Sequence, residues 1–215
     1  MADPDVPPRT AGPPPRVWVS RCLLGERCRW DGEARPCEAV ERLRAWLDFR
    51  PICPEMEMLG LGCPRAPIRV VRPRRAQRPR LVQPATRRDL TFLAYRAFND
   101  WLASPAGGDG ADSRPPAPDG LLLKAKSPSC GCRNVKRYPA PGATAPIGET
   151  RGFFARWAVG RWPGIPMIDE RGLSEAVERA RWWRRLHRRT AQRTAPAEAR
   201  RRQRPGTAPP WPGLS

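Results

Sequence analysis

The chain has 215 residues and carries 40 lysines or arginines against 21 aspartates or glutamates, which gives a formal net charge of +19. A chain of this length is predicted to form one folded domain with tails, and it is long enough to bury a hydrophobic core. The 29 prolines indicate that part of the chain does not fold. Because the sequence nowhere contains 18 consecutive apolar residues, we expect no membrane-spanning helix.

The two ends of the chain are predicted to be disordered tails. Residues 1–15 are rich in proline, and residues 190–215 combine Arg, Pro, Gly and Ala without a helical period. The start of the sequence lacks the apolar segment of a signal peptide, so we expect a cytoplasmic protein. Seven cysteines in that reducing compartment are not a disulfide framework. The folded domain is predicted to span residues 16–189.

The first elements alternate between strand and helix. Residues 16–20 form a β-rich run that ends just before Cys22. Apolar side chains spaced three and four apart predict an amphipathic helix between residues 38 and 49. A short strand over residues 49–52 then ends at Cys53. Two cysteines thus directly follow predicted strands.

The middle of the chain continues the alternation. A strand is expected over residues 68–71, followed by a solvated Arg- and Pro-rich run over residues 72–80. Thr86 and Asp89 resemble a capping box that begins a helix, whose apolar face runs from Leu90 to Trp101. Residues 103–119 are predicted to be a flexible surface loop, since they are dominated by Gly, Pro and Asp.

The last elements place a third cysteine after a strand. The apolar run over residues 120–126 leads into Cys130, and it is followed by a helix over 150–159, a strand over 164–169 and a helix from Ser174. This order predicts an α/β fold, a single three-layer domain with a mainly parallel, Rossmann-like sheet. Ligands of such sheets bind beyond the carboxyl ends of the strands, so we expect the three cysteines to converge there.

The converging residues would be soft metal ligands. Cys22, Cys53 and Cys130 have no histidine nearby, because the only one is His187 in the basic C-terminal region. Thiolates alone favour an iron-sulfur cluster, zinc or cuprous copper over hard cations. A four-iron cluster normally takes four cysteines, so three would leave one iron open. An open metal position indicates catalysis rather than a structural site.

Four ordered motifs carry a resemblance to a known family: Val19-Ser20-Arg21-Cys22-Leu23-Leu24-Gly25, Arg29-Trp30-Asp31-Gly32, Ile52-Cys53-Pro54-Glu55 and Leu123-Lys124-Ala125-Lys126-Ser127-Pro128-Ser129-Cys130-Gly131. The sequence over roughly residues 17–180 resembles the domain of unknown function 523 family, whose characterised branch is the thiouracil desulfidases. Residues 53–69 look closest to the branch that is usually fused to a domain of unknown function 1722.

The resemblance implies an enzyme with a [4Fe-4S] cluster held by Cys22, Cys53 and Cys130. The open iron would take sulfur from a small thiolated compound such as 2-thiouracil, and water would replace it without a change of oxidation state. Such a hydrolysis needs a base, and Glu55 is the candidate because it lies two residues after Cys53. Either Ser127 or Ser129 would orient water or substrate.

The remaining chemistry-bearing residues keep alternative interpretations. Cys28, Cys37 and Cys63 are interpreted as buried or incidental, whereas Cys132 could complete the cluster. Lys124 and Lys126 are either a solvated strand edge or cations at the mouth of the site that favour an anionic substrate or sulfide.

The excess of arginine over lysine, together with abundant Ala, Pro and Gly, is interpreted first as a compositional bias of the coding DNA, and it leaves an alternative function open. The chain could be a basic nucleic-acid-binding module with zinc-binding or structural cysteines, and the Arg-rich tail could make a weak nucleic-acid contact. In the segment from Arg179 to Arg189, we expect Trp182 and Trp183 to pack on the domain and the arginines to face water.

Overall fold

The structure, a computed structural model, describes residues 12–104 and 115–195. Nine strands and five α-helices follow one another in these residues: β1 (Arg16–Ser20), α1 (Glu38–Arg42), β2 (Asp48–Ile52), β3 (Arg69–Val71), β4 (Arg80–Gln83), β5 (Arg88–Asp89), α2 (Thr91–Ala103), β6 (Gly120–Leu123), β7 (Val135–Tyr138), β8 (Glu149–Thr150), α3 (Phe153–Arg161), β9 (Met167–Asp169), α4 (Glu170–Ser174) and α5 (Ala176–Thr194).

A four-stranded parallel sheet in the order β2-β1-β6-β9 forms the centre of the fold. In this sheet Ser20 lies opposite Ile52, and Leu123 lies opposite Asp169. Because all four strands run the same way, their carboxyl ends meet at one edge. This architecture confirms the predicted α/β fold with a parallel sheet.

The core fills both faces of the central sheet. Trp18 points to one face, where it meets α2 and α3, and Val17 and Val19 point to the other, where they meet α1 and α5. The Trp18 ring stacks edge-to-face on Trp101 and on Trp162, with centroids 5.1 Å apart in each pair. Strands with apolar residues on both faces are typical of a parallel sheet covered by helices.

A second sheet lies beside the first and was not predicted. Its five strands follow the order β5-β4-β3-β7-β8, and only the β3–β7 pair is parallel. The strand expected over residues 68–71 is present as β3. The other four strands contain two to four residues each and mix apolar with charged side chains, so they lack the apolar runs by which a strand is recognised in sequence.

Two predicted helix boundaries are wrong. The helix expected over residues 38–49 ends in a 3-10 turn at Ala45, because residues 48–52 are taken up by pairing with β1. Thr86 lies in a 3-10 turn, and Asp89 belongs to β5. The Asp89 carboxylate accepts a hydrogen bond from the Thr91 amide, so the helix begins one turn later than the capping-box pattern indicates.

Three other boundaries also differ from the predictions. Residues 190–194, predicted to be disordered, continue helix α5. The helix expected from residue 150 begins at Phe153, because residues 149 and 150 form β8. Asp119, assigned to a flexible loop, is 2% exposed and accepts hydrogen bonds from the Arg16 amide and the Arg193 guanidinium.

Some predictions fall on parts of the chain that the structure does not describe. Residues 1–11 of the predicted N-terminal tail, residues 105–114 of the predicted loop and residues 196–215 of the predicted basic tail lie outside the described residues. Within the described part, none of the helices is both long and apolar enough to cross a membrane. Trp182 and Trp183 are buried against the domain, as predicted.

Candidate active site

Cys22 and Cys53 follow neighbouring strands of the central sheet. Cys22 lies in a 3-10 turn over Arg21–Leu24, which begins directly after β1 and ends at Gly25 with φ 91°. Cys53 follows β2 and precedes a single π-helical turn over Pro54–Met58. Since β1 and β2 are paired up to Ser20 and Ile52, the two cysteines leave the sheet side by side.

Cys130 reaches the same edge on a loop after β6. The Ser127 side chain shapes this loop, because its Oγ accepts hydrogen bonds from the Ser129 amide at 3.3 Å and from the Cys130 amide at 3.1 Å. The Pro128 and Ser129 carbonyls in turn accept from the first amides of helix α3. The loop thus satisfies donors that would otherwise be unpaired at a helix start.

One cavity of about 640 Å³ joins the predicted site residues. Its lining includes Cys22, Cys53, Cys130, Glu55 and Ser127. This volume lies within the range of small-molecule and cofactor sites. The convergence inferred from the strand order is therefore present in the structure.

Ser129 is placed differently from Ser127. It is fully buried, it is not part of the cavity lining, and its Oγ has no hydrogen-bond partner among the described residues. Of the two serines considered from the sequence, Ser127 is therefore the one that the structure brings to the cavity.

Cys28 is a fourth thiol of this cavity, and the sequence interpretation missed it. It is 5% exposed, and its side chain lies within hydrogen-bonding reach of both Cys22 and Cys53. The sequence does show that Cys28 lies shortly after Cys22 in a turn-rich segment. It contains no local pattern to indicate that this segment folds back over the strand ends. The family resemblance assigns no ligand to this position, so the sequence favours a buried or incidental cysteine there.

Cys132 lies in a different environment. Its thiol contacts the Ile168 carbonyl at 3.5 Å, and it lines a separate cavity with Arg133 and Trp182. The structure does not bring it to the cavity that contains Cys130, although the two residues are close in sequence. Cys37 is also outside that cavity.

Three of the cavity thiols, Cys28, Cys53 and Cys130, are weak acids because their pKa values are raised. Burial raises the pKa of the Cys130 thiol well above its ordinary value. A hydrogen bond with Cys28 raises the pKa of Cys53, and a hydrogen bond with Cys22 raises the pKa of Cys28 to about 12. Since thiolates are the form that binds metal, loading of this site must release protons.

Glu55 is held by a buried ion pair. The Nε and one terminal nitrogen of Arg65 donate to the same Glu55 oxygen, Oε2, at 3.0 and 2.5 Å. The two side chains are only 7% and 11% exposed. The other terminal nitrogen of Arg65 donates to the carbonyls of Cys28 and Gly62. Arg65 therefore connects Glu55 to the loop that carries the fourth thiol.

Glu57 supports the Cys53 backbone. Its Oε1 accepts a hydrogen bond from the Cys53 amide at 2.6 Å and pairs with Arg21 Nε at 2.8 Å. Burial raises the pKa of Glu57, and the positive charge of Arg21 opposes that effect. The π-helical turn therefore carries one carboxylate that supports the Cys53 backbone and another that lines the cavity.

Lys124 and Lys126 have different roles. The Lys124 ammonium pairs with Glu170, which also accepts from the Ala125 amide, so this lysine braces the end of β6. Lys126 is exposed at the cavity with φ 60°, a left-handed conformation that is uncommon for residues other than glycine. Of these two lysines, only Lys126 presents a charge to solvent at the mouth of the site.

The thiols are not arranged around a single point. Among residues 12–104 and 115–195, no three Cys, His, Asp or Glu side chains form a group that could hold one metal ion. A zinc ion would need such a group, because its sulfur ligands all lie about 2.3 Å from one centre.

The fold and the cavity define an α/β protein with cysteines at the carboxyl edge of a parallel sheet. The chain belongs to the 2-thiouracil desulfurase family, whose family model matches residues 17–170. It is therefore an enzyme of the desulfidase class, which confirms the resemblance seen in the sequence motifs.

A solved structure shares this fold. It is described as the [4Fe-4S]-dependent thiouracil desulfidase TudS, and it is 23% identical to this chain with a TM-score of 0.52. The similarity covers 78% of this chain and 98% of that one. No curated protein matches the sequence.

Proposed function

We propose that this protein is a cytoplasmic, [4Fe-4S]-dependent, non-redox desulfidase that hydrolyses a small thiocarbonyl compound such as 2-thiouracil. Cys22, Cys53 and Cys130 hold the cluster. The observation that carries the proposal is the cavity in which these three thiols, delivered by three separate strands, meet Glu55 and Ser127. All seven cysteines are free, in keeping with a reducing compartment.

The residues present fit an iron-sulfur cluster. The donors are buried thiols without a histidine, which is the set that such clusters take. Each ligand of a cluster binds its own iron, so the thiols need to border a cavity rather than enclose one ion. When bound, the cluster supplies a soft Lewis acid for the sulfur of the substrate.

Glu55 acts as the general base in this proposal. Arg65 occupies its Oε2, and Oε1 accepts no hydrogen bond from the described residues, so Oε1 can take a proton from water. The water oxygen then bonds to the thiocarbonyl carbon as the carbon–sulfur bond breaks. The protons of the water pass to Glu55 and to the departing sulfide, and no electrons are transferred.

Ser127 orients the reactants. Its oxygen already accepts from two amides of the Cys130 loop, and its O–H, which also lies within reach of the Cys130 sulfur, is the group that donates to water or substrate in this proposal. The same contacts fix the position of Cys130. Ser127 thus joins the proposed ligand loop to the reacting groups, whereas Ser129 of the same loop is buried and does not line the cavity.

The mouth of the cavity favours anions. Four cations line it: Arg29 and Arg35 pair with Asp31 and Glu33, whereas Lys126 and Lys136 have no carboxylate partner among the described residues. The charge of Glu55 is balanced by Arg65. This field attracts an anionic form of the substrate and stabilises sulfide as it leaves.

Anaerobic reconstitution with iron and sulfide tests the proposal. We expect about four irons per chain and visible absorbance in the unsubstituted protein. Cys22→Ala, Cys53→Ala and Cys130→Ala should lose the cluster, whereas Cys37→Ala, outside the cavity, should retain it. Glu55→Gln should keep the cluster but release sulfide from 2-thiouracil about 10²–10⁴-fold more slowly. A protein that binds no iron, or equal iron in all variants, would contradict the assignment.

A nucleic-acid contact is a second candidate, which the family and the related structure do not support. One observation favours it: Arg181, Arg184, Arg185 and Arg188 are exposed and lie three and four residues apart along helix α5. Replacing Arg181, Arg184 and Arg188 by Gln should then abolish a salt-dependent affinity for RNA. Weak binding that is unaffected by these changes would exclude this surface.

A further inference from the structure

Trp30 is an aromatic side chain that the fold leaves open at the active-site cavity. It lines this cavity and is 47% exposed, whereas every other tryptophan in the described part of the chain is buried or half-buried. Its indole makes no aromatic or cation–π contact with the described residues. A large apolar ring surface is therefore available to a ligand of the cavity.

The turn that carries Trp30 is held by several contacts. The Gly32 amide donates to the Arg29 carbonyl at 3.0 Å, and Gly32 has the positive φ of 75° that this turn requires. The Arg29 guanidinium donates to both oxygens of Asp31, at 3.1 and 2.8 Å. The Trp30 carbonyl accepts from the amide of Arg65 at 2.9 Å, and the guanidinium of the same arginine holds the proposed general base. Because the turn is already ordered, little conformational entropy is lost when the indole binds a ligand.

The rest of the cavity lining suits a flat ring with polar groups at its edge. Glu55 and Ser127 supply polar contacts. The apolar members of the lining besides Trp30 include Ile52, Pro67, Ile68, Val70 and Val135. An aromatic side chain binds a planar heterocycle by stacking, which requires a flat π face on the ligand. A saturated ring of the same size is puckered and cannot stack in this way.

We propose that Trp30 determines substrate specificity: its indole stacks on the planar ring of a heteroaromatic thiocarbonyl compound and selects such rings over non-aromatic thiocarbonyl compounds. This inference rests on the proposed function and narrows its substrate class. Stacking acts on the whole ring rather than on the reacting carbon–sulfur bond, so it contributes to binding of the substrate and of the transition state alike. Its loss should therefore raise KM and leave kcat nearly unchanged.

Two measurements on the iron-loaded protein test this role: the kinetics of sulfide release from 2-thiouracil, and calorimetric binding of uracil and 5,6-dihydrouracil. These two ligands carry the same carbonyl and amide groups, but only uracil is planar. Trp30→Ala should raise the KM for 2-thiouracil and the Kd for uracil about 5–150-fold and abolish the preference for uracil over 5,6-dihydrouracil. Trp30→Phe keeps a ring and should retain most of the affinity. Phe92→Ala is the matched control, since Phe92 is 79% exposed on helix α2 and does not line the cavity.

Four results would overturn the inference. If Trp30→Ala changes the KM for 2-thiouracil no more than Phe92→Ala does, Trp30 takes no part in substrate binding, while the proposed function stands. If it weakens uracil and 5,6-dihydrouracil equally, the indole is a general apolar contact and not a stacking surface. If kcat falls at constant KM, Trp30 does not act through binding. If the unsubstituted protein releases no sulfide, the proposed function fails as well. Iron content and thermal unfolding show that each variant is loaded and folded.

Discussion

At the scale of single residues, the pair formed by Glu55 and Arg65 determines what the site can do. A buried carboxylate without a partner would be strongly disfavoured as an anion, and Arg65 removes that penalty with two hydrogen bonds. Because the same guanidinium also binds the Cys28 carbonyl, it joins the π-helical turn to the loop that contains Cys28. One side chain therefore arranges both the proposed base and the fourth thiol.

Arg65→Met should destabilise the protein by about 3–5 kcal/mol, because it leaves the buried Glu55 charge unpaired. Arg42→Met is the matched control: Arg42 pairs with Glu38 on the surface, where the side chains are 59% and 84% exposed. There we expect a loss below about 1 kcal/mol. The loss of stability in both variants is measured as the change in the free energy of unfolding in urea. Equal losses of unfolding free energy in the two variants would show that the buried Glu55–Arg65 pair contributes no more to stability than a surface pair does.

At the scale of elements, the Cys130 loop and helix α3 depend on each other. No side chain caps the start of α3, and the amides of Phe153 and Phe154 instead donate to the carbonyls of Pro128 and Ser129. The glycine at the junction allows this close approach, since a Cβ on Gly152 would lie 2.4 Å from the Ser129 carbonyl oxygen. A helix terminus thus fixes the loop that presents the cysteine.

Gly152→Ala should destabilise the protein by about 1–3 kcal/mol and reduce cluster occupancy, because backbone atoms must move to admit the new methyl group. Gly160 in the same helix provides the contrast, since a Cβ added there would meet nothing within 4 Å. Gly160→Ala should be neutral or stabilising by up to about 1 kcal/mol. Thermal unfolding and iron content measure the two effects. Similar behaviour of the two variants would mean that the loop does not pack as described.

At the scale of the whole molecule, Asp119 links the C-terminal helix to the central sheet. Its carboxylate accepts three hydrogen bonds from Arg193 near the end of α5, at 2.9 to 3.1 Å. It also accepts from the Arg16 amide at the start of β1. The helix is thereby joined to the strand ends opposite the active site, which leaves the carboxyl edge open to ligands.

Asp119→Ala should cost about 1–3 kcal/mol, since it removes the acceptor of the Arg16 amide and breaks the Asp119–Arg193 ion pair. Asp100→Ala removes a carboxylate that pairs with Arg96 on the surface of α2, with side chains 67% and 70% exposed, and should have little effect. Urea unfolding followed by tryptophan fluorescence reports on both. If Asp119→Ala were as mild as the control, the link would contribute nothing to stability.

The sequence alone determined the central sheet and the three cysteines that follow its strands. The apolar runs of β1 and β6 are local signals, and the parallel order follows from alternating strands and helices. Because parallel strands end at the same edge of a sheet, the cysteines that follow these strands are expected to lie together at that edge. The four motifs added the family, which the family model confirms.

The tertiary structure decided what surrounds those cysteines. The second sheet forms from short strands, and its β3–β7 pair joins residues that are far apart in sequence, so no local period could reveal the whole sheet. Cys28 and Arg65 reach the cavity only because their loops cross over the strand ends and bind each other. The local sequence shows which reactive side chains the protein carries. Contacts between distant segments determine which of these side chains face one another, because such contacts form and contribute free energy only in the folded chain.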